Sequence, residues 1–351
     1  TSASTNMGVT ANMELFTGMR RPNQVKSQKY ELMAATENLE LAKRNISIQV
    51  AAGYLQALYS KGIVDVERRQ VELDKEALAR AEALYEAGKK PKSEVATAEA
   101  QVAVSELSLT EAIGNETMSR LDLMQLLNLE GDVTNFSVVE IDTTSLVGDV
   151  APASLVFEQA VENHPSIMGA KYNLESSKYQ IGVAKSQYMP SVSLSASYNN
   201  SYYHLYDSEF KNNSFGKQLD LNGSEYIGIN VSIPIFNRFQ TRNNVRQARL
   251  QKESREVALN EAKQDLLKEI QQAYWNARKA RDNYHSAQKA HASTELAYSY
   301  EAERYAQGKG TAYDLQQART RLEKTAQDEL QARYEFLMRV KILEFYNGVP
   351  M

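Results

Sequence analysis

The chain has 351 residues, a formal net charge of −4, 42% apolar and 24% charged residues, and no cysteine. This balance excludes a generally basic nucleic-acid binder and a disordered chain, and the missing thiols exclude disulfide frameworks, thiolate metal sites and cysteine nucleophiles. No run of 18 uncharged apolar residues occurs, which excludes a transmembrane helix but not a membrane β-barrel, whose strands carry a far weaker hydropathy signal.

Thr1 to Asn6 are polar and carry no signal-peptide pattern. The first element is a strand, in which Met7, Val9, Ala11, Met13 and Leu15 alternate with Gly8, Thr10, Asn12 and Glu14. From Asn23 to Ala87 the only breakers are Gly53 and Gly62, so one very long helix follows. Its seam is Leu39, Ala42, Ile46, Val50, Gly53, Ala57 and Ser60, spaced to face a partner helix. After Gly88 and Lys89 a second apolar-periodic helix begins, which predicts an αα-hairpin. Residues 132–153 mix threonines, Gly148 and Pro152 and read as a connecting segment.

A helix from about Ser154 to Gln187, broken at His164-Pro165, leads to a strand over Ser191–Asn199 with Val192, Leu194, Ala196 and Tyr198 on one face. Tyr198, Tyr202, Tyr203 and Tyr206 suit an interfacial aromatic girdle, and a polar loop holding His204 runs on through Leu221. In the strand Tyr226–Phe236, Ile227, Ile229, Val231, Ile233 and Ile235 alternate with Gly228, Asn230, Ser232 and Pro234. The 73 residues from Ile235 to Gln307 hold no glycine or proline and predict a second very long helix. Its seam is Leu259, Ala262, Leu266, Ile270, Ala273, Ala277, Ala280, Tyr284 and Ala287; after Gly308 another hairpin helix begins.

The two halves repeat with an ungapped offset of 220. Identities number only 14 in the 91 pairs from Gly8 to Ala98, yet punctuation and pattern agree, notably Tyr-x-x-Gly-Lys at 85–89 and 305–309. The register is expected to slip by three near the end, where Gly131 is matched to Gly348. The chain thus divides into repeat 1 over 1–131, the connecting segment 132–153 and repeat 2 over 154–351. The counterpart in repeat 1 of the helix that opens repeat 2 would begin roughly 66 residues before Thr1, so the chain is expected to lack that helix, one strand and any leader.

Strands with one apolar face and one serine/asparagine face suit a membrane barrel with a wet lumen, or a soluble sandwich with one core face. The barrel reading puts Ile227, Ile229, Val231, Ile233, Val9 and Met13 toward lipid, and Asn230, Ser232, Thr10 and Asn12 toward the lumen. Catalytic and metal motifs fail: Gly308-Lys309-Gly310-Thr311 lacks the upstream glycine of a phosphate loop, and His285 and His291 do not share a helix face. No serine has a Gly-x-Ser-x-Gly context, so neither an enzyme nor a cofactor is indicated.

This arrangement resembles the TolC-like outer-membrane efflux factor family. The likeness rests on Val231-Ser232-Ile233-Pro234-Ile235-Phe236 with its twin Asn12-Met13-Glu14-Leu15-Phe16, on Tyr85 to Lys89 and Tyr305 to Lys309, on Asp314-Leu315-Gln316-Gln317-Ala318, and on Leu127-Asn128-Leu129-Glu130-Gly131. It implies a mostly α fold with membrane β: a homotrimer with a helical tunnel and a twelve-stranded β-barrel in outer-membrane lipid, four strands per subunit, one of them absent from this chain. It also implies a passive exit duct of a tripartite pump in a Gram-negative bacterium, with a periplasmic adaptor and an inner-membrane pump as partners. The tips at Gly88, Lys89, Gly308 and Lys309 would meet the adaptor. By position, the periplasmic gate would comprise Tyr305, Asp314 and Glu94, with Gln317 where the family has a second aspartate and Gly310 where it has an arginine. Thr311 to Asp314 also reads as a capping box, which would give Asp314 a purely local role. The alternative to the duct is a periplasmic coiled-coil adaptor without a barrel.

Overall fold

The computed structural model describes residues 1–140, 152–206 and 212–348. They form β1 (Ser2–Phe16), α1 (Arg20–Glu86), α2 (Lys92–Leu126), α3 (Ala153–Asn163), α4 (Pro165–Lys185), β2 (Ser191–Leu205), α5 (Phe215–Asn222), β3 (Ser224–Ser232), α6 (Gln240–Ala306) and α7 (Ala312–Tyr346). The fold is therefore mostly helical, with one three-stranded sheet. Helices α1 and α6 have 67 residues each, which at 1.5 Å per residue makes each about 100 Å long. None of the described helices is apolar enough to cross a membrane.

The chain divides into two compact units. The first comprises residues 1–38 and 165–262 and holds the antiparallel sheet β1-β2-β3. Because partners in register share a face, the pairs Met13↔Leu194↔Ile229, Ala11↔Ala196↔Ile227 and Val192↔Val231 build one apolar surface. Val9 joins it opposite Tyr198, while Thr10 and Asn12 lie opposite Ser197 and Ser195, and Asn230 and Ser232 opposite Ser193 and Ser191, on the other surface. The apolar surface has no cover among the described residues: Val9 is 74% exposed and Ile227 78%.

Three strand expectations need correction. β3 stops at Ser232, so Ile233 and Ile235 lie beyond the ladder: its partner β2 begins only at Ser191, directly after Pro190, and Pro234 has no N–H to donate further on. β1 and β2 are longer than their alternation suggested, pairing from Ser2↔Leu205 onward. His204 consequently lies in β2 rather than in a loop. The polar stretch that follows contains α5, whose amides stand in for the strand that β3 does not supply. Gln218 accepts from Tyr203 N–H (3.0 Å) and donates to Tyr203 C=O (2.9 Å), and Asn222 donates to Ser201 C=O (2.6 Å). Residues 207–211 of that loop and 141–151 of the connecting segment lie outside the described residues.

The second unit comprises residues 39–164 and 263–351. Leu266, Ile270, Ala273, Ala277 and Ala280 of the α6 seam are buried, as are Ala57 and Ser60 of α1. Leu39 and Ile46 are instead more than half exposed within the single chain. Phe336, stacked on Tyr284 at 6.1 Å, packs with Ala280 and Val340, while Leu337 packs with Leu55 and Leu58.

The offset of 220 holds in the backbone. Gly18 and Met19 (φ 59° and 66°) recur as Arg238 and Phe239 (53° and 64°), Gly88 (70°) as Gly308 (73°), and Asn128 (51°) as Gly348 (86°). Leu127 and Asn128 N–H bond to Leu123 and Gln125 C=O, and Asn347 and Gly348 N–H bond likewise to Leu343 and Phe345 C=O. The expected slip pairing Gly131 with Gly348 is therefore wrong. Asparagine, which also tolerates positive φ, takes the glycine's place.

Candidate functional site

Each tip begins with a helix end that its sequence dictates. Lys89 N–H bonds to Leu84 C=O (2.9 Å) and Gly88 N–H to Tyr85 C=O (2.8 Å); Lys309 and Gly308 bond to Arg304 (2.9 Å) and Tyr305 (3.0 Å) in the same way. This closure places its central residue in the left-handed region, where glycine carries no Cβ penalty. It also aims the tyrosine three residues upstream at a fixed place on the last turn.

The two tips then diverge through one residue. The N-cap of α7 is Thr311, whose Oγ1 accepts from Asp314 N–H at 3.1 Å and donates to Asp314 Oδ2 at 2.7 Å. The N-cap of α2 is Pro91, which has no side-chain cap. Glu94 holds the position equivalent to Asp314, 220 residues earlier, and with no hydroxyl to hold it reaches across. Its Oε1 accepts from Lys90 Nζ at 3.0 Å and its Oε2 from Tyr305 OH at 3.2 Å. Lys90 also stands over the Tyr305 ring, 5.4 Å from its centroid. The result is a lock tying one tip to the other.

Burial and, next, the neighbouring Glu94 charge raise the Tyr305 pKa, keeping the phenol protonated as a donor. The hydrogen bond to Glu94 raises that of Lys90 and holds it cationic. At this partly exposed site solvent screening weakens both bonds relative to buried ones.

Of the gate residues expected from sequence, the structure brings Tyr305 and Glu94 together. Asp314 is engaged with Thr311, its carboxylate binding a hydroxyl rather than the backbone donor a capping box would offer, and Gln317 is exposed. Gly310 stands where a Cβ would approach Tyr305 N to 3.1 Å, so the close backbone turn leaves no room for the family's arginine without adjustment. Gly88, Lys89, Gly308 and Lys309 are exposed at the tips. Lys90 escaped sequence reasoning: it lies in the turn before the N-cap Pro91, outside α2, where no helical spacing rule points to Glu94. The buried pair Asp74–Arg319 escaped it too. Among the described residues no group of three His, Asp or Glu is placed to hold a metal.

A profile of the outer membrane efflux protein family matches residues 1–129 and 156–348. The chain is 22% identical over 317 residues to outer membrane efflux protein BepC of Brucella suis, covering 90% of this chain and 66% of that one. It is 23% identical over 293 residues to protein CyaE of Bordetella pertussis, covering 80% and 57%. It thus spans two thirds or less of these curated relatives. The crystal structure of CusC, described in terms of transmembrane channel formation, superposes with a TM-score of 0.81 at 16% identity, over 99% of this chain and 83% of that one.

Proposed function

The chain belongs to the outer membrane efflux protein family, and we propose that it works as the passive exit duct of a tripartite efflux or type I secretion pump. The observation that carries this reading is the run of two very long helices out of one sheet whose apolar face is uncovered. Val9, Met13, Ile227, Ile229 and Val231 face outer-membrane lipid; Thr10, Asn12, Asn230 and Ser232 face a wet lumen. Ile233, beyond the ladder, belongs to the strand exit. A bilayer satisfies no open sheet edge, so the sheets of three copies close into one barrel while their helices form a periplasmic tunnel. The protein performs no chemistry of its own and binds no cofactor.

At the periplasmic mouth, Tyr305, Glu94 and Lys90 hold the closed state, and three copies of Asp314 face one axis. Gln317 lowers the negative charge there relative to the family pattern. The tips at Gly88-Lys89 and Gly308-Lys309 meet the adaptor, which joins the duct to an inner-membrane pump. Fractionation tests the reading: the whole protein should sediment with outer membrane, require detergent and run as a trimer, and its deletion should make cells retain exported compounds. A monomer soluble without detergent would contradict it.

A further inference from the structure

We propose that the buried Asp74–Arg319 ion pair is the pivot on which the tips open, a positioning pair for the Tyr305–Glu94 lock; this rests on the gate reading above. Three observations along the α1–α7 contact converge. Away from the tips the contact is filled: Tyr59 and Tyr334 meet edge to face at 6.3 Å, Leu55 and Leu58 pack with Leu337, and Gly62 lies beneath Leu330. Toward the tips it turns polar. Gln327 Nε2 donates to Glu67 Oε1 at 2.6 Å, Gln70 Nε2 donates to Asp74 Oδ2 at 3.1 Å, and the Arg319 guanidinium grips Asp74 Oδ1.

The side chains of Arg319 and Asp74 are 7% and 0% exposed, and no other ion pair among the described residues is so enclosed. Beyond the pair lies a partly open cleft of about 220 Å³ whose apolar wall is Ala77, Ala81, Ala98 and Ala302 and whose rim is polar, Arg80 and Gln101 included, with Asp74, Arg319, Glu94 and Tyr305 among its lining.

These features have unequal resistance to separation. Helices flanking such a cleft have few direct contacts to lose. Pulling apart a buried ion pair would strand charges in a poorly solvated place. Once the Tyr305–Glu94 bond breaks, the hairpins can part across the cleft, and the parting stops at Asp74–Arg319. From Asp74 to Gly88 this leaves a lever of about 20 Å on α1. Gln70 holds the second carboxylate oxygen and fixes the direction in which Asp74 meets the guanidinium.

The test uses the whole trimer in planar bilayers, with thermal unfolding measured alongside. The pair is removed without leaving an unpaired charge, as Asp74→Leu with Arg319→Met, and reversed as Asp74→Arg with Arg319→Asp. Removal should raise closed-state conductance about threefold or more with the unfolding temperature held, since apolar replacement of a buried pair is often neutral or stabilising. Reversal should bring conductance back toward the wild-type value, which a purely structural role does not predict. As an independent arm, Ala98→Leu, which fills the cleft, should lower the conductance of a Tyr305→Phe variant. Wild-type conductance after removal of the pair, alongside raised conductance in Tyr305→Phe with Glu94→Gln, would overturn the pivot. An Ala98→Leu variant without effect would do the same. Unchanged conductance in the lock variant itself would overturn the gate reading as well.

Discussion

Replacing Ile229 by arginine should abolish assembly, whereas replacing its neighbour Asn230 should not. Ile229 lies opposite Leu194, itself opposite Met13, and is 68% exposed on the apolar face. An arginine on the lipid face costs about 2–4 kcal/mol near mid-bilayer, or about 6–12 kcal/mol over three copies, comparable to the whole stability of a domain. At Asn230 the new guanidinium would point to the other face, where Ser193 and then Glu14 stand opposite, and a change within about 0.5 kcal/mol is expected. Heat-resistant trimer in outer-membrane fractions, followed by immunoblot, reads both. Equal loss at the two positions would refute the division of faces, and so would equal tolerance.

Three further outcomes are expected. Asp314→Asn should reduce cation selectivity and block by trivalent cations of the whole channel, because a ring of like charges draws cations into a constriction; unchanged block would assign Asp314 to its bond with Thr311 alone. Phe336→Ala should destabilise by about 3–5 kcal/mol in chemical unfolding, since Phe336 is 1% exposed among Ala280, Tyr284 and Val340; a loss under about 1 kcal/mol would contradict that packing. Burial, then the Arg44 charge, lowers the His164 pKa from 6.5 to about 4. The folded state therefore disfavours the proton that the unfolded state accepts. The stability this gives is complete above pH 6.5 and lost as pH falls toward 4, by about 1–2 kcal/mol after allowance for solvent screening. His164→Gln should flatten that slope, and an unaltered slope would exclude His164 as its source.

Sequence reasoning reached furthest where backbone rules act locally. Gly88 and Gly308 end their helices because those closures need positive φ, and the offset of 220 survives in the dihedrals despite few identities. It overran where one rule met another: alternation continues through Ile233 and Ile235, yet pairing ends at Ser232, where the partner strand begins after Pro190. Asn128 went unrecognised because it does in repeat 1 what Gly348 does in repeat 2. At the site, the capping role of Thr311 is legible in the sequence, while its replacement by Pro91 in repeat 1 decides which acidic residue reaches across. Contacts over 211 and 245 residues, Glu94–Tyr305 and Asp74–Arg319, depend on how the hairpins lie side by side and leave no trace in local spacing.

Single-channel recording of the whole protein in planar bilayers decides whether this chain builds a gated duct. A gated duct gives a small cation-selective closed-state conductance that rises in Tyr305→Phe with Glu94→Gln. Silent bilayers for both proteins, despite confirmed insertion, would contradict it.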